Sequence, residues 1–360
     1  MKITDLRACQ PRCDSPSDWR TSMGQILVAV DTDAGLTGYG VGGGGMASIH
    51  VVRTVLRDLL LGRSPEPIAH LWQAMYDATL PFGRKGLAIM ALSGVDLALW
   101  DLKGRAEKKS VTGLLGGAKH SRLPVYVTVW GDVDPALIPQ YRGFKLHVDD
   151  SAASRERKRP ESAADNTPVA HAPGSPEILE LVARTRNLLG PDPALMLDAW
   201  MKWDVPTTLA VAEQIAPYNV AWIEEPLPAD DFAGYYELSQ RCQVPIAGGE
   251  HEFTAAGFKV LIDQRLHQVL QPDVCWCGGL TELVKIYDLA HKAGLRVCPH
   301  RGGELWTLPA LAALDPNPLA ESGRPWMTWV GGQPPIVDGC ITPSDAPGFG
   351  VNIDESTLHI

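Results

Sequence analysis

The chain has 360 residues, 45% hydrophobic and 21% charged, a composition typical of a globular protein with room for a barrel of roughly 200–250 residues and a smaller domain. Its net charge of −10 argues against a nucleic-acid partner and predicts that an anionic substrate binds through a cation. No apolar run approaches the ~18 residues of a membrane helix. The first residues lack a signal-peptide core, and seven cysteines without disulfide spacing favour a reducing, cytoplasmic location.

The first third of the chain predicts a small α+β domain, which we assign to residues 1–118. An apolar strand over Met1 to Cys9 precedes a hairpin around Asp33, Ala34 and Gly35, and three helical patterns follow. The glycine-rich run 38–43 matches a dinucleotide-binding fingerprint. The strand before it belongs to a hairpin and not to a βαβ unit, so we expect no nucleotide there.

From residue 119 onward, short apolar runs alternate with amphipathic helical patterns, as in a barrel of parallel strands joined by helices. We predict the first barrel strand near Leu123, the second over residues 143–148 and the eighth over residues 319–322. The fold class is therefore α/β, with a TIM-type (β/α)8 barrel over residues 119–322. A tail, residues 323–360, is expected to pack on the first domain.

Two segments fit this plan less directly. Residues 149–176 are polar, rich in Pro and Ala, and long for a barrel connection. They predict a surface insertion or, because they follow the second strand, a flap over the mouth of the barrel. The pair Cys275 and Cys277 lacks a second cysteine pair, which favours packing over a zinc site.

Four acidic residues and one histidine each end an apolar run in the second half of the chain. The intervals between them are 26, 26, 23 and 27 residues by subtraction. One strand–helix unit of a barrel takes about 25 residues, so the five side chains should meet at one mouth, where this fold keeps its chemistry. These strand-end residues are Asp198, Glu224, Glu250, Asp273 and His300.

The first three strand-end residues predict a metal site. Asp198, Glu224 and Glu250 are hard oxygen ligands without a neighbouring His or Cys in the set, a combination that suits Mg²⁺. Glu225 should face the other side of its strand. Glu252 alternates onto the side of Glu250 and is the more serious rival ligand.

The last two strand-end residues predict an acid–base pair. A carboxylate on one ring nitrogen fixes the tautomer of a histidine and raises the basicity of the other nitrogen, which suits Asp273 and His300. The alternative is a buried structural pair. Lys145 and His147 lie two apart on the second strand and should face the mouth together, as a charge balance or a second acid–base group, or else form a solvated strand edge.

Six segments together resemble the enolase superfamily in its mandelate racemase-like branch, with sugar-acid dehydratases of the L-rhamnonate type as the most similar members. They are VDLALWDLKG, LDAW, IEEP, GEHE, QPDVCWCGGLTE and VCPH. The resemblance implies an N-terminal α+β capping domain and a modified (β/α)7β barrel. It also implies Mg²⁺ bound by Asp198, Glu224 and Glu250, and an acid–base pair of His300 and Asp273.

The resemblance further implies a Mg²⁺-dependent dehydratase that converts an aldonate such as L-rhamnonate or L-lyxonate to a 2-keto-3-deoxy acid through a metal-stabilised enediolate. Glu321 would donate a hydrogen bond to that enediolate, unless it only pairs with Arg324. The catalytic set is completed by Lys145 and His147, although relatives carry a second lysine where this chain has His147. Residues assigned to substrate binding are Trp19, Arg20, His251 and Glu252.

Two other functions stay open at this point. A racemase or epimerase of a 2-hydroxy acid would need His300 on one face of the substrate and Lys145 or His147 on the other. A barrel that binds sugar acids without catalysis is the alternative from a different class. In each case the expected partner is a small carboxylate, with no membrane and no nucleic acid, and we expect a homo-oligomer.

Overall fold

The computed structural model describes residues 1–11, 24–148, 176–323, 327 and 329–355. Its N-terminal part contains a three-stranded antiparallel sheet in the order β1-β2-β3. The predicted hairpin joins β2 to β3, and it turns at Gly35, whose φ of 72° and N–H bond to the carbonyl of Thr32 suit glycine. The three strands are β1 (Ile3–Cys9), β2 (Ile26–Thr32) and β3 (Thr37–Gly42).

Helices cover one face of this sheet. The predicted helical patterns correspond to a helical stretch with a central π-helical segment (Val52–Leu56) and to two longer helices. The longest, α4, lies directly on β3 and β2 and buries most of its apolar side chains there. The helices are α1 (Gly45–Val51), α2 (Arg57–Leu60), α3 (Ile68–Thr79), α4 (Leu87–Glu107) and α5 (Val111–Leu114).

The glycines of β3 explain the false nucleotide fingerprint. A Cβ atom on Gly38, Gly40 or Gly42 would lie 2.2, 2.1 or 2.3 Å from a backbone oxygen of α4. These glycines therefore let a helix approach the sheet closely, and they make no phosphate loop. The fold gives the pattern a packing function, in agreement with the prediction that no βαβ unit exists there.

The rest of the described chain forms the predicted barrel. Parallel pairing runs from β4 to β10 in chain order, and β11 pairs with β4, which returns the last strand to the side of the first. The α/β fold class with a capping domain is thus confirmed. The barrel strands are β4 (Leu123–Trp130), β5 (Gly143–His147), β6 (Ala194–Asp198), β7 (Ile223–Glu224), β8 (Ile246–Gly248), β9 (Val269–Leu270), β10 (Arg296–Val297) and β11 (Ala320–Glu321).

Helices surround the barrel, and buried side chains fill its interior. This inner core comes from successive strands, and the ring of Tyr126 lies edge-on to that of Trp222. Cys275 and Cys277 are buried free thiols. The outer helices are α6 (Pro176–Leu189), α7 (Val205–Ile215), α8 (Phe232–Arg241), α9 (Thr254–Asp263), α10 (Leu280–Ala293) and α11 (Leu308–Leu314).

The C-terminal tail contacts both domains. Its strands β12 (Ile336–Val337) and β13 (Cys340–Ile341) extend the barrel sheet, because β13 pairs antiparallel with β4. Further on, the N–H of Phe349 donates to Asp101 of α4 and Glu355 pairs with Arg7 at 2.8 Å. Packing on the first domain therefore describes only the end of the tail. The boundaries after residues 118 and 322 stay predictions.

Residues 149–175 lie outside the described residues, so the predicted insertion or flap stays a prediction. Pro176, its last residue, begins α6. Among the described helices, none combines the length and apolar composition needed to cross a membrane.

Replacing Gly40 by Ala tests the contact between β3 and α4. The new Cβ would meet the backbone oxygen of Gly94, which cannot rotate away, so we expect a loss of about 3 kcal/mol or more in the free energy of unfolding. Urea unfolding measures it. Gly113→Ala is the matched control, since its Cβ would lie 3.4 Å from its nearest neighbour. Equal stability of the two variants would contradict the packing argument.

Candidate active site

All five strand-end residues lie at one mouth of the barrel. Asp198 and Glu224 are the last residues of β6 and β7 and are directly paired in register. Glu250, Asp273 and His300 follow β8, β9 and β10 within a few residues. The four acids are buried, and the His300 side chain is 19% exposed. Parallel strands end at one rim of the barrel. The residues that recur at nearly constant intervals in the sequence therefore lie together there.

Lys145 lies in the middle of the cluster. Its ammonium donates to Glu224 and lies 2.9 Å from Glu321 and 3.5 Å from Asp198. Burial alone would lower the pKa of Lys145, but the charges of the surrounding carboxylates hold it well above its ordinary value. Lys145 is therefore a buried, permanently charged partner of acids from three strands and not a solvated strand edge.

His300 and Asp273 form the predicted pair. The Nδ1 atom of His300 lies 2.8 Å from Oδ2 of Asp273, and its Nε2 lies 3.2 Å from Oε2 of Glu250. Burial opposes the charged imidazole, but the neighbouring carboxylates outweigh it and raise the pKa of His300 to about 10. This geometry leaves Nε2 as the nitrogen that faces the acids of the mouth.

Arg301 joins this pair although the sequence analysis did not identify it. Its Nη2 and Nε atoms donate to Oδ2 of Asp273 at 2.7 and 3.2 Å. Its Nη1 lies 3.8 Å from Glu304, a fully buried carboxyl whose pKa burial raises to about 8. No periodic pattern indicated either residue, because both belong to the irregular segment after β10. Their only signal was proximity to His300 in the chain.

His147 bonds to a predicted metal ligand. Its Nδ1 lies 3.1 Å from Oδ2 of Asp198, and its side chain is 11% exposed. Two indoles flank the imidazole, with ring centroids 5.4 Å away for Trp130 and 6.3 Å for Trp200. The register explains the contact, since His147 and Asp198 are direct partners of β5 and β6.

Glu321 accepts hydrogen bonds from every partner that the structure gives it. Lys145 lies at 2.9 Å, the hydroxyl of Thr128 donates at 2.5 Å and the N–H of Arg301 at 2.9 Å. Although burial raises the pKa of a carboxyl, Lys145 and His300 lower that of Glu321 to about 2. In these contacts Glu321 is an ionised acceptor, whereas the resemblance implies a donor to the substrate; that donor role stays a prediction.

The residues predicted to bind substrate separate into three groups. His251 stays at the mouth, where its ring centroid is 5.7 Å from that of Trp276. Glu252 instead lies beside the capping domain, bonded to the ammonium of Lys85 at 2.8 Å and to the N–H of Phe253. In this structure Glu252 is therefore a contact between the two domains, and its assignment to substrate binding stays a prediction. Trp19 and Arg20 lie outside the described residues.

Two sets of side chains are candidates for a metal site. Among the described residues, the ligand atoms of Glu225, Glu250 and His251 lie within 4.8 Å of one another. In this set Glu225 already bonds to His251 at 2.6 Å, and that contact helps to raise the pKa of His251 to about 9 against the opposing effect of burial. The other set, Asp198, Glu224 and Glu250, stays a prediction, and it consists only of the hard oxygen donors that Mg²⁺ favours.

The protonation of the predicted set is also linked to a cation. Burial raises the pKa of Glu224 to about 8 and raises that of Glu250, so a bound cation would favour the ionised forms that serve as ligands. Glu224 is further oriented by Gln271, which donates to Oε2 at 2.6 Å, and by the indole of Trp222. Glu225 accepts from the N–H of Gly249 and also lies close to Glu250, so its predicted position on the other side of the strand stays a prediction.

The capping domain holds the segment that carries Asp273. The N–H of Gly278 donates to Ser93 of α4, and the indole of Trp72 donates to the carbonyl of Gly278 at 2.7 Å. Thr281 donates to both carboxyl oxygens of Asp96. The mouth is therefore built by both domains, and the position of Asp273 depends on contacts with α4.

Comparison with known proteins agrees with this architecture. Residues 135–357 match the family model described as enolase C-terminal domain-like, and residues 17–116 match that of the mandelate racemase / muconate lactonizing enzyme N-terminal domain. An L-rhamnonate dehydratase from Saccharopolyspora erythraea is 33% identical over 344 residues, which are 92% of this chain and 84% of that protein.

Two solved structures show the range of chemistry among relatives. A 3,6-anhydro-D-galactonate cycloisomerase from Zobellia galactanivorans is 26% identical, with a TM-score of 0.84 and 100% of both chains covered. A racemase from Streptomyces coelicolor A3(2) with bound magnesium is 29% identical, with a TM-score of 0.83 over 99% of this chain and 98% of that one. The chain belongs to the mandelate racemase / muconate lactonizing enzyme family of the enolase superfamily, a family of enzymes, which confirms the resemblance.

Proposed function

We propose that this enzyme is a Mg²⁺-dependent dehydratase that removes water from a sugar acid, an aldonate such as L-rhamnonate or L-lyxonate, to give a 2-keto-3-deoxy acid. The observation that carries the proposal is the His300–Asp273 pair beside the three buried carboxylates Asp198, Glu224 and Glu250. The 33% identity to an L-rhamnonate dehydratase supports the same reaction class.

The three carboxylates are the residues that would hold Mg²⁺. They are hard oxygen donors from neighbouring strand ends, and a small divalent cation would favour the ionised forms that burial disfavours. The magnesium-bound racemase relative supports the choice of ion. When bound, Mg²⁺ supplies positive charge that stabilises the substrate carboxylate and the charge that develops as the α-proton leaves.

The chain's own residues account for the proton transfers. Asp273 accepts from Nδ1 of His300, which leaves Nε2 as the nitrogen that would take the α-proton from C2. In this structure Nε2 lies 3.2 Å from Glu250, whose charge favours the protonated ring, and a cation bound by Glu250 would weaken that effect. The electron pair of that C–H bond forms a double bond between C2 and C3 as the C3 hydroxyl leaves. The imidazolium returns the same proton to the departing oxygen, which leaves as water, and the enol product becomes the 2-keto-3-deoxy acid.

A racemase of a 2-hydroxy acid is the second candidate, favoured by the presence of Lys145 and His147 across the mouth. Racemisation needs a group that delivers a proton to the opposite face. Lys145 bonds to carboxylates of three strands, and His147 bonds to Asp198. These contacts favour charge balance over proton transfer, so dehydration with one acid–base group fits better.

Product identity tests the reaction. With Mg²⁺ and L-rhamnonate or L-lyxonate in deuterated water, NMR should show a 2-keto-3-deoxy acid. His300→Asn should lower the rate by about 10²–10⁴-fold, because it removes the acid–base group. His291→Asn, on the exposed side of α10, is the control and should retain the rate. Epimerisation at C2 without loss of water would favour the racemase, and binding without turnover would favour a non-catalytic barrel.

Metal content tests the ligand set. Asp198→Asn should weaken Mg²⁺ binding by at least about 10²-fold, as expected when a direct ligand is lost and not only its supporting partner. Isothermal titration of the metal-free protein measures the affinity. Glu225→Gln is the matched control, because Glu225 belongs to the other ligand set. Weaker binding in the control together with normal binding in Asp198→Asn would reverse the assignment.

Substitution of Glu321 tests its acceptor role. Gln places an amide N–H₂ among the donors Lys145, Thr128 and Arg301, so Glu321→Gln should lower kcat about as strongly as Glu321→Ala. Thermal unfolding of both variants separates this effect from loss of the fold. A nearly normal rate for Glu321→Gln together with a low rate for Glu321→Ala would instead support the hydrogen-bond donor role that the resemblance implies.

A further inference from the structure

Both carboxylate oxygens of Asp273 accept hydrogen bonds from neighbouring groups in the site. Its Oδ2 atom accepts from Nδ1 of His300 at 2.8 Å and from two nitrogens of Arg301 at 2.7 and 3.2 Å. Its Oδ1 atom accepts from the N–H of Cys275 at 2.7 Å. The side chain is only 2% exposed. The imidazole therefore depends on a carboxylate whose position is shared with a guanidinium.

We propose that Arg301 is a positioning residue of the His300–Asp273 pair, which acts through Asp273 and sets the orientation of the imidazole without touching the substrate. The catalytic part of this inference rests on the proposed dehydratase function. Two N–H groups of one planar guanidinium form a fork on Oδ2 of Asp273 and fix the position of that oxygen, and a lysine ammonium lacks this rigid pair of donors.

The backbone makes the base and its positioning residue one unit. Arg301 follows His300 directly, and its φ of 50° turns the chain so that the guanidinium reaches back to the same carboxylate. The N–H of Arg301 donates to Oε2 of Glu321 at 2.9 Å, which anchors the turn on β11. A positive φ at a non-glycine residue costs free energy and persists only where the surroundings impose it.

Charge gives a second reason for Arg301. A buried carboxylate beside a neutral imidazole would be an uncompensated charge, which is costly in the protein interior. Burial alone would raise the pKa of Asp273, but Arg301 and His300 hold it well below its usual range. Burial would lower the pKa of Arg301, but Asp273 and Glu304 hold it well above its ordinary value, so the guanidinium is a charged partner for Asp273.

Glu304 is a second acid beside the guanidinium. Its Oε1 atom is 3.8 Å from Nη1 of Arg301 and has no hydrogen-bond partner among the described residues. In the described structure no hydrogen bond joins Glu304 to Asp273 or His300, so the two N–H contacts from Arg301 to Asp273 do not pass through it.

Kinetics of the full-length Mg²⁺-loaded enzyme test the proposal. Arg301→Lys keeps the charge but loses the fork, and we expect kcat to fall about 10²-fold with KM nearly unchanged, the effect of a misplaced catalytic group. Arg301→Ala should lose at least as much, and added guanidinium should partly restore it. Arg186→Lys is the matched control, because the described hydrogen bonds of Arg186 go to backbone carbonyls of two loops, at Gly190 and Pro193 before β6 and at Tyr218 and Asn219 before β7.

Proton NMR of the Nδ1–H of His300 gives a readout that needs no substrate. The wild-type protein should show a downfield resonance from the Nδ1–H bond to Asp273, and Arg301→Lys should shift or broaden it. Arg186→Lys should leave it in place. An unchanged resonance and kcat in Arg301→Lys would overturn the proposal, as would losses matched by Arg186→Lys. If wild type dehydrates no sugar acid, the proposed function fails while the resonance still tests Arg301.

Discussion

The ammonium of Lys145 joins carboxylates that end three different barrel strands, and the arrangement of the mouth depends on this contact. Parallel strands bring their C-terminal ends to one rim, so acids at matched positions are forced together. Each buried charge costs several kcal/mol, roughly, unless a partner compensates it. One lysine is shared among these acids, and the Mg²⁺ that we propose would supply further positive charge at the mouth.

Polar contacts also connect the proposed acid–base pair, His300 and Asp273, to the acids around Lys145. Glu250, one of the predicted metal ligands, lies 3.2 Å from Nε2 of His300. Glu321 lies between the ammonium of Lys145 and the backbone N–H of Arg301. The polar contacts therefore form a continuous chain from Glu224 to Asp273. Helix α4 holds one end of this chain, because Ser93 and Asp96 bond to the segment after Asp273. Capping domain and barrel thus share the catalytic geometry.

The sequence predicted the parts of this site that follow a period. Strand ends recur at the length of one strand–helix unit, and this placed Asp198, Glu224 and the His300–Asp273 pair at one mouth before any contact was known. The neighbouring positions of Lys145 and His147 followed from the two-residue period of a strand. The β3 glycines were correctly separated from nucleotide binding, although their packing against α4 became clear only in three dimensions.

The parts that escaped prediction lie where no period applies. Arg301 and Glu304 follow a strand end in irregular backbone, where side-chain direction depends on turns such as the positive φ of Arg301. The two-residue alternation of a strand predicted that Glu252 lies on the same side as Glu250. Because β8 ends at Gly248, that alternation does not apply at these two positions. The protonation state of Glu321 depends on three donors from distant segments, which no single stretch of sequence reveals.

Crystals soaked in Mn²⁺ test most directly whether Asp198, Glu224 and Glu250 bind the metal ion. Anomalous diffraction locates the ion without reference to activity. We expect one peak within coordination distance of these three residues. A peak bound instead by Glu225, Glu250 and His251, or no bound ion at a saturating concentration, would contradict it.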